Sequence, residues 1–303
     1  MKVTDAARGK WRGILMALGV DSKYLSGKHG PCPLCQAGTD RFRFDNQQGR
    51  GTFFCSQCGN GDGFEFLKRL HGWDFKTACS EVQKIIGGVR NEPVKPAMTE
   101  AKRVEMLNGL WRGSTAVTLD NLAGQYLASR RCLPERIPTC LRFHPACPVP
   151  HGGGVLPAMI ALVTGSDGVP VNIHRTFLGP NGKADIPEPR AMMPGPIPDG
   201  SAIRLSPTYG DRLGVGEGIE TTIRASIRFG IPGWATISTT IMQKWIAPEG
   251  VKEVIVFGDN DEKFGGQAAA YALCHKLAAR HSLTVKPYIP MQAGMDWADE
   301  AAA

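Results

Sequence analysis

Two stretches of sequence decide the fold of this chain: Leu213-Gly-Val-Gly-Glu217-Gly-Ile-Glu220-Thr and Val254-Ile-Val-Phe-Gly-Asp259-Asn-Asp261. Each has the pattern of a buried β-strand that ends in acidic residues. In an open α/β sheet, ligands bind beyond the carboxyl ends of the strands, so carboxylates from two such strands are expected to meet in one crevice. Carboxylate oxygens suit Mg²⁺. The sequence therefore predicts an acidic metal site built from Glu217, Asp259 and Asp261.

The residues around these stretches alternate between strand and helix. The predicted strands are 213–216, 234–237, 251–257 and 284–289, and the predicted helices are 219–229, 239–246 and 265–280. This alternation is typical of a parallel sheet covered by helices, an α/β fold. The glycines on either side of Glu217 would leave room for a phosphate or a metal. Glu220 has two interpretations of equal weight: a functional acid, or a carboxylate that favours the helix N-terminus electrostatically.

Four cysteines upstream have the spacing of a zinc ribbon. Cys32 and Cys35 form one CxxC pair, Cys55 and Cys58 form the other, and 19 residues separate the pairs. Four thiolates in this pattern can close a tetrahedral Zn²⁺ site with no open position, so the zinc is predicted to be structural. The alternative is that the cysteines are simple core residues.

Basic and aromatic residues alternate along the two predicted strands of this ribbon, over 41–44 and 51–54. Arg41, Arg43 and Arg50 lie among four phenylalanines (Phe42, Phe44, Phe53 and Phe54). Single-stranded bases stack on such a surface. The alternative, expected for at least half of the phenylalanines, is that they fill the small core of the ribbon.

The other segments are predicted from periodicity and turn residues. One amphipathic helix covers 4–18, and a later helix begins at Asp74 as its N-cap, turns Phe75 inward and ends at Gly87. Prolines favour a linker at 91–96. A β-hairpin joins 159–164 to 169–178, and 179–200 is predicted to be a long loop. Thr118 is predicted to cap a helix that buries Leu119.

These elements divide the chain into four parts: a zinc-ribbon domain at 1–90, a linker at 91–100, a mixed α+β subdomain at 101–208 and the α/β domain at 209–303. Positive charge is concentrated at the front, with 14 Lys and Arg against 8 Asp and Glu in residues 1–90 but 8 against 10 in residues 213–303. A basic front half suits a polyanionic partner, and the acidic end suits divalent metal. No run of eighteen apolar residues occurs, and the odd, scattered cysteines do not form a disulfide framework, so a reducing cytoplasm and no membrane are expected.

The acidic motifs resemble a Toprim domain, through Gly216-Glu-Gly-Ile-Glu-Thr221, Gly258-Asp-Asn-Asp261 and Gly294-Met-Asp-Trp297. The cysteine region resembles the zinc-binding domain of phage and mobile-element primase–helicases, through Gly30-Pro-Cys-Pro-Leu-Cys35, Asp40-Arg-Phe-Arg-Phe44 and Gly61-Asp-Gly-Phe64. The segment Ile173-His-Arg-Thr-Phe-Leu178 is similar to the region that precedes Toprim in the same proteins.

This resemblance implies a DNA primase that joins ribonucleoside triphosphates into short RNA primers on single-stranded DNA, with the ribbon helping to select the start site. Glu217, Asp259 and Asp261 match the Toprim acids that bind Mg²⁺ (or Mn²⁺), and Asp296 matches a further acid. Arg175, Lys183 and Arg204 are the candidates for binding the triphosphate and template, with simple surface exposure as the alternative. The host would be a bacterial cell that replicates a phage, plasmid or mobile element.

Three alternatives remain open. The chain could be another Toprim enzyme, such as a nuclease or topoisomerase, or a DNA-binding subunit without catalysis. Four residues, Cys140, His144, Cys147 and His151, could hold a second metal. The chain lacks the G-x-x-x-x-G-K-[ST] loop of the helicase half, so the helicase is expected to be either a separate partner or another part of a larger protein.

Overall fold

The structure of the protein is a computed structural model, which describes residues 2–93, 98–206, 210–281 and 283–299. The chain forms two compact units, Met1–Thr99 and Glu100–Ala303. Residues 94–97 of the predicted linker lie outside the described residues. The four-part division of the chain stays a prediction. None of the helices among the described residues is long and apolar enough to cross a membrane.

The first unit is a small three-stranded antiparallel sheet packed against helices. In chain order its elements are α1 (Val3–Ala6), α2 (Trp11–Ala17), β1 (Phe42–Phe44), β2 (Phe53–Cys55), β3 (Gly59–Gly61), α3 (Gly63–His71) and α4 (Phe75–Ile85). The sheet order is β1-β2-β3. Its core is a cluster of aromatic and aliphatic side chains around Trp11, Phe42, Phe53 and Phe66. The two predicted ribbon strands are confirmed, and β3 is an addition.

Two helix predictions for this unit need correction. The single helix over 4–18 is two helices, because Gly9 adopts a left-handed φ of 78° and donates its N–H to the Gly49 carbonyl at 2.8 Å. Asp74 caps α4 as predicted, and its side chain accepts from the Thr77 N–H at 2.7 Å. Phe75, however, is exposed rather than turned inward.

The second unit begins with helices and an antiparallel sheet. Its first elements are α5 (Glu100–Arg112), β4 (Thr115–Ala116), α6 (Leu122–Ser129), β5 (Leu141–Pro148), β6 (Val155–Thr164), β7 (Pro170–Gly179), β8 (Gly182–Lys183) and β9 (Arg190–Met192). The strand order is β4-β5-β6-β7-β8, and β9 also pairs with β7. The β6–β7 hairpin is confirmed. The predicted long loop at 179–200 is partly wrong, because β8 and β9 lie within it.

The N-cap predicted at Thr118 is also wrong. Asn121 occupies that position, and its side-chain oxygen accepts from the Gly124 N–H at 3.2 Å. The helix therefore starts three residues later than a cap at Thr118 would place it, and Leu119 stays outside and exposed.

A four-stranded parallel sheet completes this unit. Its elements are β10 (Arg212–Gly216), α7 (Ile219–Phe229), β11 (Gly233–Ala235), α8 (Thr239–Lys244), β12 (Glu253–Phe257), α9 (Gly265–His281) and β13 (Thr284–Tyr288). The order is β11-β10-β12-β13, and every pair is parallel. The predicted α/β fold is confirmed.

The parallel and antiparallel sheets share hydrophobic packing. One cluster of buried side chains contains Leu127, Leu141 and Met159 together with Ile219 and Ile223. The segment Ala202–Ile203 bridges the two sheets, because Ala202 exchanges backbone hydrogen bonds with Thr164 of β6, both at 2.9 Å, and Ile203 exchanges them with Ala235 of β11, at 2.8 and 2.9 Å. Because of this shared core, the acidic site is held by elements from both halves of the unit.

Candidate metal centres and acidic site

The four cysteines converge in the first unit. Their sulfur atoms lie within 4.8 Å of one another, and among the described residues they are the one set of three or more potential ligands that meets this spacing. The Cys32 and Cys58 sulfurs are 3.9 Å apart, close to the roughly 3.8 Å expected for thiolates placed tetrahedrally about 2.3 Å from zinc. The site fits Zn²⁺.

Backbone amides support this cysteine site. The Leu34 N–H donates to the Cys32 sulfur and the Cys58 N–H donates to the Cys55 sulfur, each at 3.4 Å. Such bonds favour the thiolate form that binds metal. Four sulfur ligands leave no position for a substrate, which indicates a structural zinc.

The ribbon phenylalanines divide as the core interpretation predicts. Phe42, Phe44 and Phe53 are buried, whereas Phe54 is 46% exposed. Arg43 lies partly exposed on the same strand pair, with Nη1 3.4 Å from His29 Nε2. Phe54 is therefore the one ring of the four that retains the predicted capacity to stack on a base.

The acids Glu217 and Asp259 follow adjacent parallel strands. Gly216 of β10 and Phe257 of β12 are register partners, and the two acids come one and two residues later. Neighbouring strands lie about 4.8 Å apart, so both residues emerge at the same edge of the sheet. The structure thus places them as the strand pattern predicts.

Asp259 lies at the centre of a concentration of negative charge. Burial, followed by the nearby Asp296, Glu217 and Asp261, raises the pKa of Asp259 to about 7. Its Oδ1 is buried and accepts no hydrogen bond from any residue that the structure describes. A buried carboxylate oxygen without a partner is costly unless a cation or a donor binds there.

Burial and the charge of Asp261 also raise the pKa of Glu217, with Arg190 and the Thr239 backbone N–H acting in the opposite direction. The carboxylate oxygens of these acids do not all lie within 4.8 Å of one another in the described part of the chain. One shared cation would therefore require the side chains to rotate inward. The donor set itself, a group of carboxylate oxygens, fits Mg²⁺.

Asp261 is exposed and also stabilises the start of α9. Its Oδ2 accepts from the Gly266 N–H at 2.6 Å. The approach is close, because a Cβ on Gly266 would lie only 2.7 Å from the Asp259 carbonyl oxygen. The start of α9 is therefore packed directly against both aspartates.

Asp296 lies near Asp259 but is already hydrogen-bonded. Its Oδ2 accepts from the Thr221 hydroxyl at 3.1 Å, and its Oδ1 accepts from the Ala298 and Asp299 N–H groups at 2.6 and 3.0 Å. Its role as a metal ligand stays a prediction, and these bonds indicate that it orients the C-terminal segment against α7.

Glu220 lies in the first turn of α7, where its carboxylate favours the helix N-terminus as one of its two interpretations predicts. It is buried, accepts a short hydrogen bond from the Tyr126 hydroxyl and pairs with Lys183 Nζ at 3.1 Å. Burial would raise the pKa of Glu220, but Lys183 and the Tyr126 hydroxyl outweigh it and hold the pKa below its usual value. This cluster, called here the Glu220 triad, joins α6, β8 and α7.

The three basic candidates next to the Toprim-like segment have different surroundings. Lys183 belongs to the Glu220 triad. Arg175 is buried, and its guanidinium donates to the Pro148 and Met192 carbonyls, each at 2.7 Å. Arg204 donates to the Gly165 carbonyl at 2.9 Å and lies over the Trp234 ring. Arg175 and Arg204 thus have structural partners, and their predicted role in binding substrate gains no support from this geometry.

No sequence pattern pointed to Arg190 as a residue of the site. It is exposed on β9, and its charge lowers the pKa of Glu217. Only a Pro-Gly-rich context surrounds it in sequence, and the pairing of β9 with β7 is what brings it to the acids.

Two further interpretations gain no support from the described geometry. A Cβ on Gly216 would lie 2.4 Å from the Thr222 hydroxyl oxygen, so this glycine accommodates α7 rather than a phosphate or metal. Cys140, His144 and Cys147 do not form a metal-spaced set among the described residues, and the Cys140 sulfur donates to the Arg204 carbonyl. The side chain of His151 lies outside the described residues.

Comparison with known families matches three segments of the chain. Residues 27–64 match the zinc-binding domain of primase-helicase, residues 212–303 match the Toprim domain, and residues 101–205 match a domain of unknown function, DUF7146. The first two matches cover the cysteine site and the acidic site.

Among solved structures, the chain is similar to the Aquifex aeolicus primase with its zinc-binding and RNA polymerase domains, at 14% identity over 98% of this chain and 81% of that one, with a TM-score of 0.44. It is similar to the primase fragment of the bacteriophage T7 primase-helicase protein, at 13% identity over 90% and 93%, with a TM-score of 0.40. The DnaG primase catalytic domain bound to ssDNA gives 15% identity over 66% and 77%, with a TM-score of 0.44.

Proposed function

We propose that this chain synthesises short RNA primers on single-stranded DNA. It joins a primase-helicase zinc ribbon to a Toprim domain and so belongs to the zinc-ribbon plus Toprim primases. The observation that carries the proposal is the buried, unsatisfied oxygen of Asp259 in the described structure, surrounded by Glu217, Asp261 and Asp296. Carboxylates whose pKa values are raised by burial and by one another, as those of Asp259 and Glu217 are, are concentrated at functional sites.

Glu217, Asp259 and Asp261 would hold Mg²⁺ or Mn²⁺ here. When bound, such a metal lowers the pKa of an attacking 3′-hydroxyl and offsets the charge of a triphosphate. The residues of the chain orient the reactants: the carboxylates position the cation, and the nearby basic side chains attract the anionic substrate.

Lys183 and Arg190 are our candidates for contacting the triphosphate. Both lie on strands that pair with β7, and both interact electrostatically with the acids at the start of α7. On the ribbon, Arg41, Arg43 and the exposed Phe54 are the candidates for contacting template. The zinc is proposed to hold this ribbon folded, since structural zinc contributes folding energy directly.

The partners follow from this role. We propose a single-stranded DNA template, ribonucleoside triphosphates and a replicative helicase, either separate or fused, in the replication of a phage, plasmid or mobile element.

The test is incubation of the protein with single-stranded DNA, labelled ribonucleotides and Mg²⁺. We expect short labelled RNA from the wild type and from Asp199→Asn, a change at an exposed acid paired with Lys244 at 3.3 Å. Asp259→Asn should produce about a thousandfold less RNA, or less still. Shortened DNA would instead identify a nuclease, and a mobility shift without a product would identify a non-catalytic binding subunit; either result refutes the proposal.

A further inference from the structure

Phe264 is an exposed aromatic ring beside the acidic site. It lies in the turn between Asp261 and α9, and the residue is 69% exposed, although phenylalanine is ordinarily buried. The turn itself is close to the acids, since the following Gly266 packs against Asp259. A large apolar side chain is therefore left in solvent next to the carboxylates.

The backbone of Phe264 is unusual for its residue type. Its φ is 61°, in the left-handed region that bulky residues avoid and glycine adopts freely. Two glycines follow at positions 265 and 266. The left-handed position itself, which favours glycine, is occupied by Phe264. Backbone strain of this kind is concentrated at sites that bind ligands.

Hydrogen bonds fix the backbone of the turn that carries Phe264. The Phe264 N–H donates to the Asp261 carbonyl at 3.0 Å, and the Phe264 carbonyl accepts from the Ala268 N–H at 3.0 Å. Gln267 braces the same turn by donating to Asn260 Oδ1 at 2.6 Å. These bonds fix the backbone of the turn, and with it the position from which the Phe264 side chain extends into solvent.

We propose that the Phe264 ring stacks against a nucleobase bound at the acidic site. This inference rests on the proposed function, because it takes nucleotides to bind at Glu217, Asp259 and Asp261. The Cα atoms of Asp261 and Phe264 are within about 7 Å of each other, as in any i to i+3 turn. The ring can thus contact a base while the carboxylates serve its phosphates or those of the next nucleotide.

Stacking suits a priming enzyme because every base offers a flat face, whatever its sequence. The base belongs either to the incoming ribonucleotide or to the template strand. Both offer the same chemistry to the ring, and binding experiments with the two ligands separate them.

The experiment compares four variants of the full chain with the wild type. Phe264→Leu keeps an apolar side chain without the ring, Phe264→Gly also removes the strain, and Phe264→Trp keeps an aromatic face. Tyr271→Leu is the matched control, since Tyr271 is a 56% exposed ring farther along α9. The probes are ATP with Mg²⁺, titrated by calorimetry, and a fluorescein-labelled single-stranded 12-mer, followed by anisotropy.

We expect Phe264→Leu and Phe264→Gly to weaken at least one of the two affinities by about 5- to 150-fold, the range given by loss of one base–aromatic stack. Phe264→Trp and Tyr271→Leu should bind like the wild type. Phe264→Gly should be at least as stable as the wild type, because it relieves the left-handed strain.

A loss for ATP alone assigns the base to the incoming nucleotide, and a loss for the 12-mer alone assigns it to the template. Wild-type affinities of the Leu and Gly variants for both probes would overturn the proposal, as would a wild-type chain that binds neither. These measurements need no turnover. If the wild-type chain binds both probes but makes no primer, the proposed function is contradicted. The affinities of the Phe264 variants still decide whether the ring stacks on a base.

Discussion

Replacing Lys183 with methionine should destabilise the protein in a pH-dependent way. The substitution leaves Glu220 as a buried carboxylate whose remaining partner is the Tyr126 hydroxyl. Removing one member of a fully buried ion pair costs about 3–5 kcal/mol. Because the Lys183 side chain is 34% exposed, solvent screening reduces this, and we expect a loss of about 2 kcal/mol at pH 7.5.

The pH dependence has a definite sign. In the wild type, the pKa of Glu220 is lowered in the folded state. The Glu220–Lys183 pair therefore stabilises the fold above the pKa of glutamate in the unfolded state, about 4.3, and this stabilisation is lost as the pH falls through the folded-state pKa. Without Lys183, burial dominates and raises the pKa of Glu220, which penalises the fold at neutral pH and relieves the penalty on protonation. The difference in stability between variant and wild type should therefore shrink from pH 7.5 to pH 5.

The assay is urea denaturation of the full chain at both pH values, with hydrogen exchange of α6 and α7 reporting on the second unit. Lys244→Met is the matched control, because the Lys244–Asp199 pair is exposed on both sides and should contribute about 0.5 kcal/mol or less. If Lys183→Met behaved like Lys244→Met, or if its loss grew toward pH 5, our account of the Glu220 triad would be wrong.

Three other outcomes are expected. Asp259→Asn and Asp261→Asn should each lower primer synthesis about a thousandfold or more while secondary structure by circular dichroism is kept; near-normal dinucleotide synthesis by either would contradict the metal assignment. Elemental analysis should find one zinc per chain, and Cys55→Ser should unfold the ribbon and impair initiation more than extension of a supplied primer; no zinc or two zincs would contradict the cysteine site. A fragment of residues 97–303 should fold and bind single-stranded DNA more weakly with a flatter salt dependence, and initiation at unchanged template sites would refute a template-reading ribbon.

The parts of the site that the sequence predicted depend on short-range chemistry. The CxxC pairs and the Asp259-x-Asp261 motif bring their ligands together through spacings of two or three residues, so composition and pattern were sufficient. The parallel sheet was predicted from the alternation of strand and helix patterns, each of which is also visible within a short stretch of sequence.

The parts that were missed depend on long-range pairing. Tyr126 and Glu220 are 94 residues apart, and nothing near either residue indicates the contact. Arg175 lies on β7, which is buried on both faces along most of its length, so no alternation separates an internal arginine from an exposed one. Helix α5 was not predicted. It buries only Leu110 among its described residues, which is too little to produce a clear apolar stripe in the sequence.

The hydrophobic cluster shared by the two sheets restricts how this protein can evolve by recombination. The match to DUF7146 ends at residue 205 and the match to the Toprim domain begins at residue 212. Side chains from both of these segments nevertheless pack in one core. A Toprim segment transplanted from another primase would have to match Leu127, Leu141 and Met159 in shape as well as supply its own acids. The two segments are therefore expected to be inherited together, whereas the ribbon has a hydrophobic core of its own, which this cluster does not constrain.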